Sequence, residues 1–330
     1  MPVYNCEEFI EGALKSILDQ SFTDFEIIII DDCSTDATCD IIDTYKEPSI
    51  RLIKKPEHKG LIHSLNIGIK LSNGKYIARM DGDDISHPDR FEKQVNFLNI
   101  NKEVVLCGTW YQLLSTKQII RNPETHEDIK IALLDYCAFG HPTVMFRKQF
   151  ILDNNLKYDT DFRAAEDYNL WTQIILLGKV SNIPETLLYY RSHINQISNI
   201  SQHDQVKNSN LCKSRMLCYP ISKPSETDMT ICRTVVQNAP LEDSTSLNKI
   251  ILWLDNLVGL NNQSTFFLQN EFKKLILQKK RRIVRRFYLN TSSYNPRILL
   301  EFKRSNNKFQ QYFTFAELVK FALKCLLYWR

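Results

Sequence analysis

The segment Met80-Asp81-Gly82-Asp83-Asp84 puts three carboxylates within four residues, one arginine after the apolar run Tyr76-Ile77-Ala78. Like charges at that spacing repel unless water or a cation lies between them. Hard divalent ions such as Mg2+ and Mn2+ take carboxylate oxygens and leave positions open for phosphate. A solvated loop leading to the helix that Pro88 opens would use the same residue types. Asp31-Asp32 closes a second apolar run, and Glu166-Asp167 opens a helical pattern. Acids at a helix start are favoured by the helix dipole. The same pair also suits a base that takes a proton from a hydroxyl. Arg79 and Lys59 flank the acids and can offset their charge, and Arg79, beside Met80 in its strand, is expected to pair with them.

The elements that would hold these residues alternate. Asn5-Cys6-Glu7-Glu8 reads as a capping-box variant before the helical spacing Ile10, Leu14, Ile17, Leu18. Phe25–Asp32, "FEIIIIDD", is a β-branched run expected of a strand buried on both faces. Ser34-Thr35-Asp36 can cap a helix bearing Ile41, Ile42 and Tyr45. Strands are expected at Ile50–Lys55, Lys75–Met80 and Glu103–Leu114, with helices at Gly60–Gly74 and from Pro88 to Phe97. Such β/α alternation builds a parallel sheet with helices on both faces, and ligands bind beyond the carboxyl ends of its strands. The clusters at Asp31-Asp32 and Asp81–Asp84 should then line one crevice. Further on, helices are expected at Thr125–Cys137 and Glu166–Lys179, and strands at His141–Lys148 and Glu185–His193. No GxGxxG or GxxxxGK[ST] occurs, so a dinucleotide or P-loop site has no support.

The chain has 330 residues, 43% hydrophobic and 24% charged, as an ordinary globular protein does. Its charge is uneven. Residues 1–204 carry 21 Lys+Arg and 30 Asp+Glu, a net of −9, whereas residues 205–330 carry 21 and 8, a net of +13. We expect the two parts to have different jobs, with one domain over 1–204 and a basic, mainly helical region over 205–330. "KKRRIVRR" (Lys279–Arg286), helped by Phe287 and Tyr288, fits an anionic membrane surface or a solvated helix face, and nucleic acid is the weakest reading. The amphipathic end Phe315–Arg330 is too short to span a bilayer, so residues 268–289 and 315–330 are the expected membrane contacts. Nine cysteines without a CxxC pair, and no signal-peptide pattern, point to a reducing, cytoplasmic setting, with peripheral contact on the inner face of a membrane.

"MPVYN", "IIIIDDCSTD", "LNIGIKLSNGKYIARMDGDDISHPDRFEKQ" and the later "ED", in that order, resemble family 2 glycosyltransferases over about residues 1–200. The resemblance implies an α/β GT-A fold, a Rossmann-like, mixed, mostly parallel sheet flanked by helices. It implies an inverting transfer from a nucleoside diphosphate sugar to a hydroxyl on a glycan, lipid-linked or protein-linked acceptor, with UDP as the favoured carrier. Asp167 would be the base, with Glu166 as substitute or acceptor contact. Asp83 and Asp81 would hold Mg2+ or Mn2+, with His193 as a further ligand. Pro2, Val3, Tyr4, Asp32, Asn66, Arg79, Asp81, Asp83, Asp84 and Arg191 would bind the donor, Tyr4 and Asp32 at the base and Arg191 at the diphosphate. His141 matches a family position near the acceptor. Family members carry apolar residues before "PVYN"; here Met1 stands there, so a truncated first strand is expected, exposing neighbouring edges. A non-catalytic sugar-nucleotide-binding relative is the alternative reading.

Overall fold

The computed structural model describes residues 1–193, 196, 201–289, 294–304 and 309–327. Two compact units divide the chain, Met1–Cys212 and Lys213–Arg330.

In the first unit, β1 (Pro2–Val3), β2 (Ile27–Asp31) and β3 (Ile50–Lys54) form a parallel sheet in that order, joined through α1 (Ile10–Leu18) and α2 (Thr38–Thr44). Val3 pairs with Asp31, and Asp31 with Lys54. Every residue of β2 is buried, as the run of four isoleucines before Asp31 requires of a strand covered on both faces. The helix α3 (Leu61–Leu71) leads to β4 (Tyr76–Ala78), and β5 (Ile85–Ser86) precedes α4 (Arg90–Ile100). Then come β6 (Val104–Leu113), β7 (Ile119–Ile120), α5 (His126–Ala132), β8 (Met145–Arg147), α6 (Lys148–Asp153), α7 (Glu166–Leu177) and β9 (Lys179–Tyr190). They build a mixed sheet ordered β4-β8-β6-β9-β5, in which β6 and β9 pair in parallel and the other pairs run antiparallel. Ile10, Leu14 and Ile17 of α1 share one core with Ile29 of β2, Met80, Leu98, Met145 and Leu188.

β1 has two residues, and a groove of about 680 Å³ lies between the two sheets, lined by Pro2, Ile28, Ile30, Ile77, Met80 and Met145 among others. The Met1 ammonium donates to the Ile28 carbonyl at 2.9 Å, and burial pushes its pKa down to about 5.

Three local expectations change. Asn5–Glu8 do not cap α1, which begins at Ile10 after a turn closed by the Cys6 carbonyl. Asn5 instead has φ 47° and accepts from Thr35 N–H, while Glu7 accepts from Ala37 N–H, so these residues tie the loop after β1 to the loop after β2. Residues 141–143 make a 3-10 turn before β8, because Pro142 cannot donate to a ladder. The strand expected at Glu185–His193 begins earlier, at Lys179, where the chain pairs with Val104.

Helices follow: α8 (Gln202–Cys218), α9 (Glu226–Gln237), α10 (Ser244–Ser264), α11 (Gln269–Leu289), α12 (Pro296–Arg304) and α13 (Phe315–Leu326). Ser225 with Asp228 and Thr314 with Glu317 complete capping boxes. Aromatic rings build part of the second unit's core: Tyr288 meets Phe302 at 4.8 Å and Phe321 at 5.6 Å between centroids. The basic run Lys279–Arg286 does not form one continuous exposed patch. Lys279, Lys280 and Tyr288 are buried, Lys280 pairs with Asp255, and Arg281 and Arg282 remain exposed. Part of the expected contact, residues 328–330, lies outside the described residues. Among the described residues no helix is long and apolar enough to cross a membrane.

Candidate active site

The acidic loop after β4 is held from below. A Cβ on Gly82 would lie 3.0 Å from Val3 Cγ1 and 3.1 Å from Cys6 Sγ, so glycine lets this loop press onto the loop after β1. Asp81 ion-pairs with the buried Arg79. Asp83 Oδ2 meets His193 Nε2 at 2.8 Å, and the Asp83 carbonyl accepts from Arg191 Nε at 2.8 Å. Asp84 Oδ1 accepts from Arg191 N–H at 2.8 Å. Arg191 and His193 both pack on the Phe9 ring, each 4.9 Å from its centroid.

Asp81, Asp83 and Asp84 each offer an oxygen, all within 4.8 Å of one another. Asp84 is 0% exposed, and its Oδ2 accepts no hydrogen bond among the described residues. Burial, then the charges of Asp81 and Asp83, pushes the Asp84 pKa well above the carboxylate range. Burial raises Asp81 as well, against the pull of Arg79. A buried carboxylate oxygen without a donor, beside two more carboxylates, fits a hard divalent cation.

The second cluster stands at the end of β2. Asp32 is buried and ion-paired with the buried Lys55; it also accepts from Lys59 N–H at 2.9 Å, and its Oδ2 lies 3.2 Å from His58 Nδ1. Burial would raise the Asp32 pKa, but Lys55 and the Lys59 amide outweigh it and hold the carboxyl below its usual range. Tyr4 is half exposed, with His58 at 4.3 Å between ring centroids. Asp31 is buried and accepts from Ser34 N–H, which fixes the turn after β2. Lys59 pairs with Glu57.

The third cluster opens α7. Glu166 is buried, and burial, then Asp167, raises its pKa to about 7. Asp167 is half-buried; its Oδ1 accepts from Tyr168 N–H at 2.7 Å, and its Oδ2 lies 3.8 Å from Cys137 Sγ. Burial raises its pKa too, against Tyr168 N–H and Arg79. Tyr168 anchors the helix through a 2.6 Å bond to the Leu133 carbonyl. Just before it, Ala164 sits at φ 61°, a conformation that favours glycine.

Arg79 joins the first and third clusters. Its charge acts on Asp81, Asp84, Glu166 and Asp167, and its Nε is buried without an acceptor among the described residues. Tyr4 and Asp32 connect through β1, since the Val3 carbonyl accepts from Asp32 N–H and Val3 packs on Gly82. Asn66 stands apart: its amide bonds the Tyr158 backbone in both directions, at 2.8 and 3.0 Å. His141 meets Tyr158 Oη at 3.0 Å, and burial holds its pKa well below the usual value. Lys55, His58, Cys137 and Tyr158 were not singled out by sequence reasoning. No periodicity marks Lys55, which follows β3, a strand whose exposure does not alternate.

Comparison with known proteins identifies the family. The model of the family described as glycosyl transferase family 2 matches residues 1–165. An uncharacterized glycosyltransferase of Haemophilus influenzae is 33% identical, over 67% of this chain and 72% of that protein. The Escherichia coli protein named UDP-Glc:alpha-D-GlcNAc-diphosphoundecaprenol beta-1,3-glucosyltransferase WfaP is 31% identical, over 64% of this chain and 83% of that one. Among solved structures, residues 1–349 of Staphylococcus aureus TarS with UDP-GlcNAc superpose with a TM-score of 0.58 at 16% identity, covering 86% of this chain and 88% of that one, a likeness of fold. The chain belongs to glycosyl transferase family 2 and is a glycosyltransferase of GT-A fold.

Proposed function

We propose that this enzyme moves a sugar, a hexose or N-acetylhexosamine, from a nucleoside diphosphate to an acceptor hydroxyl with inversion at the anomeric carbon. The observation that carries the proposal is the Asp81, Asp83 and Asp84 cluster, whose oxygens lie within 4.8 Å of one another, with Arg191 and His193 bonded to Asp83, in a chain of glycosyl transferase family 2.

Tyr4 offers a ring for the base, and Asp32 an acceptor oriented by Lys55, with Pro2 and Val3 as the wall. UDP is the favoured carrier, supported by the UDP-Glc in the name of the E. coli relative and the UDP-GlcNAc held by TarS. That relative's name also specifies a diphosphoundecaprenol-linked acceptor, which favours a lipid-linked acceptor over other glycan or protein-linked hydroxyls. Asp81, Asp83 and Asp84, with His193 behind Asp83, would hold Mg2+ or Mn2+, and such an ion when bound neutralises charge on the departing diphosphate. Arg191 spends its Nε on Asp83, which leaves its terminal nitrogens for phosphate oxygens. Asn66 takes a positioning role, bracing Tyr158 instead of touching the donor.

Asp167 is the reachable acid of its pair, so we assign it the base. It takes the hydroxyl proton as the acceptor oxygen bonds to the anomeric carbon. The bond from that carbon to the diphosphate breaks, and the leaving group keeps the electron pair. Glu166, buried behind, sets the local charge. Asp167→Asn should keep donor affinity and lose transfer by about 10²- to 10⁴-fold. Asp83→Asn should lose donor affinity as well. Transfer near the wild-type rate in either variant refutes that residue's role, and a product of retained anomeric configuration refutes inversion.

A further inference from the structure

The exposed face of α13 is apolar. Phe315, Val319, Leu323, Leu326 and Leu327 recur every three to four residues and share one side of the helix. Their exposure runs from 43% at Val319 to 82% at Phe315. The opposite side already fills the core through Phe321 and Cys325. A helix apolar on both sides, with one side packed, leaves the other needing a cover.

Charge indicates what that cover is. Lys320 is exposed beside the stripe, and Arg285 of α11 ion-pairs with Glu317 in the first turn of α13. That pair brings the exposed Arg281, one turn away on α11, toward the same end of the helix. Residues 213–330 hold 20 Lys+Arg against 8 Asp+Glu. A second copy would bring the same cationic rim against this one, and like charges facing each other oppose association. An anionic bilayer satisfies both features at once: its headgroups meet the cations and its acyl boundary takes the stripe.

We propose that the exposed face of α13 is a membrane-docking surface, which lies in the interface plane of a bilayer carrying anionic phospholipid. Phe315, Val319, Leu323, Leu326 and Leu327 enter the acyl boundary while Lys320 and Arg281 meet headgroups. The proposal concerns a surface and does not depend on which donor or acceptor the enzyme uses.

Flotation of the full chain with vesicles tests it. The wild type should bind phosphatidylglycerol–phosphatidylcholine vesicles about tenfold or more tightly than pure phosphatidylcholine vesicles. The pair Leu323→Ala with Leu326→Ala keeps every charge and the helix propensity, and should weaken binding to the anionic vesicles by about tenfold or more. Undiminished binding by the alanine pair overturns the proposal, as does failure of the wild type to bind anionic vesicles at low salt. Sedimentation velocity without lipid adds a separate arm: a dimer that the alanine pair dissociates would assign the stripe to a second copy and refute the bilayer.

Discussion

At the scale of single residues, the acid pair on α7 sets the pH behaviour. Burial raises the Glu166 pKa from 4.5 to about 7, and Asp167 is raised beside it. The two titrate as a pair, so the acid limb of the transfer rate should fall well above the ordinary carboxylate range. Glu166→Gln removes one negative charge beside Asp167 and should move that limb to lower pH; a limb that stays put refutes the coupling. Stability carries the same signature with a definite sign. Between pH about 4.5 and about 7 the folded chain holds a proton that the unfolded chain releases, so stability falls as pH rises through this window. Thermal melts of the wild type should therefore lose more Tm between pH 5 and pH 8, both approximate, than melts of Glu166→Gln. The acids themselves are legible in the sequence, since their types and the runs before them mark strand and helix ends. Their counter-charges are not. Nothing in "LIKKP" says that Lys55 turns inward to Asp32 while Lys54 pairs with the exposed Asp43.

At the scale of elements, the site depends on loops in tight or strained conformations. Asn5, Cys33 and Ala164 have positive φ without being glycine, and they sit after β1, after β2 and before α7. Such conformations persist where the surroundings over-determine them. Ala164→Gly should leave Tm unchanged or raised by up to the equivalent of about 1 kcal/mol, because relief of the positive φ offsets the entropy glycine adds to the unfolded chain. A clear loss of Tm would show that the Ala164 methyl packs usefully. Gly82→Ala tests the acidic loop from the other direction. Its Cβ meets Val3 and Cys6 side chains at 3.0 and 3.1 Å, so the loop must shift by a few tenths of an ångström. Stability should fall by about 1 kcal/mol, with a larger proportional rise in donor KM; unchanged KM would mean the loop position does not govern the donor. Element type was readable where the pattern is clear, as in the isoleucine run of β2 and the α1 spacing. Sheet direction after β4 was not. Periodicity fixes neither partner nor orientation, and the antiparallel pairing of β4 with β8 joins residues about seventy positions apart.

At the scale of the whole molecule, charge separates two kinds of binding. The acids of the first 204 residues proposed to hold the donor, Asp32, Asp81 and Asp83, are buried or half-buried and paired with Lys55, Arg79 and His193. Salt screens buried groups of this kind weakly. The cations of the last 126 residues that would face headgroups, Arg281 and Lys320 among them, are exposed. Raising ionic strength from about 0.1 M to about 1 M shortens the screening length from about 10 Å to about 3 Å. Binding to anionic vesicles should then fall by about tenfold or more, since each exposed cation loses its share of headgroup attraction. Transfer to a soluble acceptor, followed by released nucleoside diphosphate without lipid, should change by less than about threefold, because its charge pairs are shielded from solvent. A parallel collapse of both would place the basic C-terminal residues in turnover itself. Vesicle binding that survives high salt in the wild type but not in the Leu323→Ala, Leu326→Ala pair would show that the apolar stripe, rather than charge, dominates docking.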